Sequence, residues 1–152
     1  MQSTNYINDL RQKVGNTPLI LNTATGALFN NAGEVLLQER VDTKDWGFPG
    51  GYLEYGETYK KAIMREFQED TGLSVIPEKL IQNTDDTFYK YPNGDQIQSI
   101  NQFFLVRYLE GTLLSVKTGE TTRLKYFKLD QPPQFFNEQH AEMFKKIQRM
   151  RE

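Results

Sequence analysis

Glu66, Glu69 and Asp70 stand at i, i+3 and i+4 of a run that a Gly47-Phe48-Pro49-Gly50-Gly51 segment precedes and Gly72 terminates. This placement of charge constrains the chain more than any other feature. The glycines and the proline concentrate flexibility and one rigid kink ahead of Glu57 and Thr58, and Gly72 is suited to a left-handed stop, so a helix running to Thr71 is expected. On that helix the three carboxylates project from one face and crowd each other. Like charges so spaced cost roughly 0.2–0.5 kcal/mol per exposed pair, and more when part-buried, unless a cation lies between them. Taken alone, such a string is more often a solvated acidic face, so the surrounding frame has to decide.

The residues available narrow the choice of cation. The chain has no cysteine and one histidine, His140, which excludes a disulfide framework, a thiolate zinc site, a cysteine nucleophile and a histidine metal cluster. Any metal must be held by oxygen, and oxygen donors favour Mg²⁺, with Mn²⁺ as a substitute; Mg²⁺ characteristically joins a few carboxylates to substrate phosphates. A net charge of -2 and a pI near 5.5 supply no broad basic field, so no nucleic-acid partner is expected. With 152 residues and 38% apolar content, one domain spanning 1–152 is expected. The opening MQSTNYINDLRQK lacks the apolar core of a signal peptide and no run of 18 apolar residues occurs, so the expectation is a cytoplasmic protein without membrane association.

Periodicity sketches the remaining elements. Tyr6, Ile7, Leu10 and Val14 recur at helical spacing after a cap at Ser3 or Asn5, with Gly15 as a stop. Residues 18–29 and 34–38 flank the turn-forming Asn30-Asn31-Ala32-Gly33, which predicts an antiparallel hairpin. A second hairpin is expected from 87–91 and 97–108 around Pro92-Asn93-Gly94-Asp95, followed by strands around Leu113 and over 124–129. Asn137 caps a closing helix whose apolar face is Ala141, Met143, Phe144, Ile147 and Met150. Helices interspersed with hairpins predict an α/β (α+β) fold with a mixed sheet between helices.

The frame around the carboxylates reads G-x5-E-x7-R-E-F-Q-E-D-T-G-L, from Gly51 through Glu57, Arg65, Glu66, Phe67, Glu69, Asp70 and Gly72 to Leu73. It resembles the signature box of the Nudix hydrolases, which include the MutT-like enzymes. Identity at Gly51, Glu57, Arg65, Glu66, Glu69 and Gly72 arises by chance on the order of once in 10⁷ starting positions. The likeness extends to the leading helix, the Pro18-Leu19-Ile20-Leu21 strand, Trp46-Gly47-Phe48-Pro49-Gly50-Gly51 and Tyr91-Pro92-Asn93-Gly94-Asp95, and so spans nearly the whole chain. Two departures stand out: Asp70 replaces the family's usual Glu and Phe67 its usual aliphatic residue. An Asp oxygen reaches about 1.5 Å less far from the helix, enough to turn direct ligation into a water-mediated contact.

The resemblance implies an α/β/α sandwich that hydrolyses a phosphoanhydride bond in a nucleoside diphosphate linked to another moiety, with Mg²⁺ supplying charge neutralisation and water activation. It implies Glu66 and Glu69 as principal metal ligands, Asp70 as a third and the Gly51 carbonyl as another. Arg65, four residues before Glu69, can pair with a carboxylate and fix its rotamer. Glu57 either supports the metal or caps the helix start. Glu66 is the base by resemblance; Glu120 is the outside candidate and reads equally well as an exposed turn acid, with Asp85, Asp86 and Asp95 behind it. Arg40 is either a phosphate clamp or a surface ion pair. Phe88, Tyr89 and Tyr91 offer a base-stacking face, although strand alternation assigns Phe88 to core packing.

The position of Tyr89 and Tyr91 beyond the box resembles the dinucleoside-polyphosphate subgroup, whereas Pro92 lies past the position of the ADP-ribose hydrolases' proline. A small nucleotide is the implied partner, and homodimers recur in the resembling family. The alternative of a different class is a non-catalytic nucleotide sensor of the same fold. Such domains commonly lose box carboxylates, and here Glu57, Arg65, Glu66 and Glu69 are all present. An isomerase would need further catalytic residues, and an RNA-decapping enzyme a basic path.

Overall fold

The computed structural model describes residues 5–115 and 121–151. Its first helix, α1 (Tyr6–Val14), starts where Asn5 accepts a hydrogen bond from the Asn8 N–H and ends at Gly15 in a positive-φ conformation. Asn5, not Ser3, is therefore the cap. None of its residues is buried; it is tied down by polar bonds instead. The Tyr6 N–H donates to Glu54 Oε1 at 2.9 Å, and Arg11 donates to the carbonyls of Gly15, Thr17 and Gln96.

Strands β1 (Leu19–Leu28) and β2 (Val35–Arg40) flank the expected turn, where Asn30 Oδ1 accepts from the N–H groups of Ala32 and Glu34. They do not form the expected ladder. After the Phe29–Val35 bridge the strands part into different sheets. Both edges of β1 are already taken, by β4 (Gly50–Tyr52) antiparallel on one side and β6 (Gln96–Gly111) parallel on the other. β2 pairs instead with β3 (Trp46–Gly47) and β7 (Thr121–Phe127). The result is a four-stranded mixed sheet, β4-β1-β6-β5, beside a three-stranded antiparallel one, β3-β2-β7.

The second hairpin is present and longer than expected, because β5 begins at Leu73 and runs to Lys90. Four register shifts along β5, with Asn83, Asp85 and Asp86 among its later residues, break the alternation that would have marked a strand. Leu113 lies beyond the end of β6 and outside any strand; it packs against the core.

Alternation on the strands separates two cores. Ala24 and Leu28 of β1, Leu36 of β2, and Phe104 and Val106 of β6 face α2 (Tyr59–Thr71), which contributes Ala62, Ile63 and Phe67. The opposite parity, with Ala27, Val35, Leu37 and Phe103, meets α3 (Glu138–Met150) through Met143, Phe144 and Ile147. This is the expected helix–sheet–helix sandwich, with Met150 exposed rather than part of the face. Among the described residues, no helix is long and apolar enough to cross a membrane.

α2 is delimited as its sequence dictates. The Thr58 side chain accepts from the Lys61 N–H, and Gly72 (φ 81°) returns its own N–H to the Gln68 carbonyl. A Cβ at Gly72 would lie 2.7 Å from the Thr112 carbonyl oxygen as well as forcing a left-handed conformation. Gly72→Ala is therefore expected to cost about 1–3 kcal/mol, lowering the melting temperature by roughly 2–10 °C. Thermal unfolding followed by circular dichroism checks this, and an unchanged curve would refute the strain.

Candidate active site

Helix α2 turns Ala62, Ile63 and Phe67 into the sheet, and the same geometry places Glu66 and Asp70 on its buried flank, at 8% and 5% exposure. Phe67 fits because Gly26 of β1 leaves room: a Cβ there would come within 2.7 Å of the phenyl ring. Gly51 does the same for Glu66. A Cβ on Gly51 would sit 2.4 Å from Glu66 Oε1, so this carboxylate rests directly against bare backbone of β4.

Arg65 holds the cluster together. Its Nε and Nη2 donate to the two oxygens of Glu57 at 2.6 and 2.8 Å, Nη1 donates to Glu66 Oε1 and Glu69 Oε1 at 3.1 and 3.0 Å, and Nη2 also reaches the Tyr52 carbonyl at 3.0 Å. One planar cation thus fixes three carboxylates and the strand that carries Gly51. Its bonds to Glu57 raise its pKa above the ordinary arginine value. Glu57 precedes the helix and does not cap it; Oε1 accepts from the Glu54 N–H and so closes the turn leading into α2. Burial works to raise the Glu57 pKa, but the bonds from Arg65 and Glu54 outweigh it and hold the carboxyl below its ordinary value.

Glu66, Glu69 and Asp70 share the wall of one cleft, of about 660 Å³, with Glu69 half exposed. Among the described residues no three acidic side chains converge into a ready metal cage; Glu66 and Glu69 are bonded to Arg65. The donor set is nevertheless all oxygen, and Gly51, whose bare backbone lies beside Glu66, lines the same wall. These groups suit a hard divalent cation.

The cleft lies in the fork between the two sheets, with Thr23 and Thr25 of β1 on one side and Gln38 and Arg40 of β2 on the other. At its far end Arg40 makes a two-pronged ion pair with Asp42, at 2.9 and 2.8 Å, and lies over the Phe136 ring, 4.4 Å from its centroid. Tyr91 also lines the cleft, and its hydroxyl is hydrogen-bonded to that of Tyr52. Burial, with Tyr91 adding to it, raises the Tyr52 pKa far above the phenol range. Tyr89 stands behind this wall, edge-on to both Tyr91 and Phe136. Phe88, expected in the core, is 73% exposed, because the last register shift of β5 leaves its parity pointing outward. Glu120 lies outside the described residues.

Among the cleft residues that the sequence pattern does not single out are Tyr52, Phe136 and His140. His140 sits in the first turn of α3, where its Nδ1 accepts the Phe48 N–H at 3.0 Å and its ring packs on Phe136. Nε2 therefore carries the proton. Gly47 permits this approach, since a Cβ there would meet Phe136 at 2.7 Å and His140 Nδ1 at 3.0 Å. Burial, reinforced by the charge of Arg40, pushes the His140 pKa down to about 3. Glycine at position 47 is the one sequence signal of this close packing.

A helix bearing clustered carboxylates on the wall of a cleft in a helix–sheet–helix sandwich is the arrangement that the comparisons with known proteins match. The NUDIX domain family profile matches residues 21–147, and the chain belongs to that family. An 8-oxo-dGTP diphosphatase of Haemophilus influenzae is 30% identical over 77 residues, covering 48% of this chain and 54% of that protein, so the match spans about half of the relative's length. Among solved structures, a MutT protein from Methanosarcina mazei superposes with a TM-score of 0.70 at 17% identity, covering 90% of this chain and 98% of that one. An ADP-ribose pyrophosphatase from Streptococcus suis gives 0.64 at 20% identity, covering 85% and 92%. At those identities the structures establish the shared fold.

Two outcomes follow from the protonation states. Because Glu57 is held below its ordinary value of 4.5, its contribution to stability is complete above that pH and is lost as pH falls through the lower folded value. Glu57→Gln is expected to destabilise by about 1–2 kcal/mol at pH 7, with the difference shrinking below pH 4.5; equal melting shifts at pH 7 and pH 3 would contradict the ion pair. His140 is the chain's one histidine, so its imidazole ¹⁵N signals need no assignment. They are expected to show a fixed Nε2–H tautomer with no titration between about pH 8 and 5, and a midpoint near 6.5 would rule out the buried neutral ring.

Proposed function

We propose that this protein hydrolyses a phosphoanhydride bond in a nucleoside diphosphate linked to another moiety, whether a nucleoside triphosphate, a dinucleoside polyphosphate or an ADP-ribose type compound. The observation that carries the reading is the Arg65 network, which orders Glu57, Glu66 and Glu69 beside Gly51 at one end of a nucleotide-sized cleft. The relatives point the same way, since a diphosphatase of 8-oxo-dGTP and a pyrophosphatase of ADP-ribose both act on substituted nucleoside diphosphates.

Glu66, Glu69, Asp70 and the Gly51 carbonyl are the groups that would hold a divalent cation, with Mg²⁺ the first choice and Mn²⁺ a substitute. When bound, such a cation neutralises phosphate charge and acidifies water. The chain's own residues position the reacting groups and accept a proton. Arg65 sets the rotamers of Glu66 and Glu69 before substrate arrives, so little reorganisation is left to the reaction. Glu66 accepts the proton of the attacking water; its carboxylate is buried, held by Arg65 and aligned against Gly51, which keeps it from swinging away. Glu120 is the alternative acceptor. Arg40 and Tyr91 bind the part of the substrate that lies away from the scissile bond, with Tyr89 buttressing Tyr91. The reading includes a small-molecule substrate, a cytoplasmic site of action and a homodimer.

Purified protein is expected to turn over at least one member of a panel of nucleoside triphosphates, dinucleoside polyphosphates, nucleotide sugars and ADP-ribose with Mg²⁺, and to lose that turnover in EDTA. Glu66→Gln and Glu69→Gln are each expected to lower kcat about a hundredfold or more. Gly51→Ala is expected to lower it at least about tenfold while leaving the fold intact, because its methyl group displaces the Glu66 carboxylate. Binding without cleavage under any divalent metal would instead establish a nucleotide sensor.

A further inference from the structure

Arg40 lies on the far side of Tyr52 from Arg65, because the Tyr52 carbonyl accepts from Arg65 while its hydroxyl meets Tyr91, the ring beside Arg40, and its ion pair with Asp42 disfavours a phosphate. A guanidinium grips a phosphate with two parallel N–H donors. In Arg40 the side-on fork of Nε and Nη2 is bonded to Asp42 at 2.9 and 2.8 Å, which leaves the Nη1 side to an incoming group, and the Asp42 carboxylate beside the plane would repel an anion there. The ion pair instead fixes the orientation of the plane. Phe136 backs one side of it at 4.4 Å, and the Tyr91 ring stands 5.9 Å from the same Cζ, itself fixed by the bond between its hydroxyl and that of Tyr52.

The backbone contributes to this placement. A register shift between Glu39 and Arg40 precedes the last described pair of the β2–β7 ladder, Arg40 with Thr121. The segment that follows doubles back, with the Arg40 N–H donating to the Asp45 carbonyl and the Lys44 N–H to the Arg40 carbonyl, which holds Asp42 against the guanidinium. With 26% of its side chain exposed and the residue lining the cleft, Arg40 is within reach of whatever enters.

We infer that Arg40 is a stacking platform for the nucleobase of the substrate, pinned by Asp42 and backed by Phe136, and is not a phosphate ligand. This rests on the nucleotide reading proposed above and adds the end of the cleft at which the base lies. Planar cations stack on any base through its π-face, and the interaction is worth roughly tenfold in affinity. Asp42 acts here as a positioning residue.

The test uses AMP and ribose 5-phosphate, which differ only by the base, with isothermal titration calorimetry on the full chain. Wild type is expected to bind AMP about tenfold tighter than ribose 5-phosphate. Arg40→Lys, which keeps the charge and removes the plane, is expected to shrink that preference to within about twofold and to leave ribose 5-phosphate binding unchanged. Equal weakening of both ligands would make Arg40 a phosphate ligand and overturn the inference, as would an unchanged preference or a wild type that does not favour AMP. Should Arg40→Lys fail to fold, Asp42→Asn on an exposed residue reads the same difference: the AMP preference must narrow, and its persistence overturns the inference. A wild type that binds neither ligand yet hydrolyses the substrate panel overturns the inference alone. A wild type that neither binds these ligands nor cleaves the panel overturns the functional reading as well.

Discussion

Three carboxylates gathered at the start and along one flank of a short helix repel one another, and a single guanidinium resolves that conflict. Arg65 touches Glu57, Glu66, Glu69 and the Tyr52 carbonyl together. Because the plane of its donors is rigid, satisfying all four partners leaves few arrangements of the 52–57 segment relative to α2. The turn closed by Glu57 and Glu54, the seat of Glu66 against Gly51 and the position of β4 all follow from this one hub. A cation that replaced Arg65 as the partner of Glu66 and Glu69 would inherit side chains already turned to the same side.

The second constraint is topological. β1 has no free edge for β2, so a turn that looks like a hairpin becomes the hinge of a fork, and the opening of that fork is the cleft. Close backbone approach then does the shaping. Gly26 admits Phe67, Gly47 admits Phe136 and His140, and Gly51 admits Glu66. A side chain as small as alanine at any of these points would push apart groups that the site brings together. Buried polar residues at the fork bond to one another, as when Asn101 meets Thr23 and Thr25, and Ser99 meets Gln139, so these groups are satisfied within the protein.

Much of this was legible in the sequence because it is local. The caps of α2, the spacing of Glu66, Glu69 and Asp70, the stop at Gly72, the Asn137 cap and the turn at 92–95 each depend on residues within a few positions of one another. What escaped depends on pairing across long separations. No local signal tells that β1 will choose a parallel partner some 78 residues away, that Tyr52 will meet Tyr91 39 positions later, or that Phe48 will donate to a histidine 92 positions later. Phe88 was misplaced for a related reason: strand parity survives only until a bulge, and β5 shifts register between Thr84 and Thr87. The early half of β5 escaped because polar residues and bulges interrupt its alternation.

Tyr52 joins the two ends of the cleft through a single residue. Its carbonyl belongs to the Arg65 network and its hydroxyl meets Tyr91. The length of one tyrosine therefore acts as a ruler between the carboxylate end and the aromatic end, and it is a ruler without a joint, since both of its tips are hydrogen-bonded. On the proposed reading a compound is gauged by its span as well as by its chemical groups: one whose anhydride and flat ring are separated by too short or too long a linker would satisfy one end of the gauge and forfeit the other.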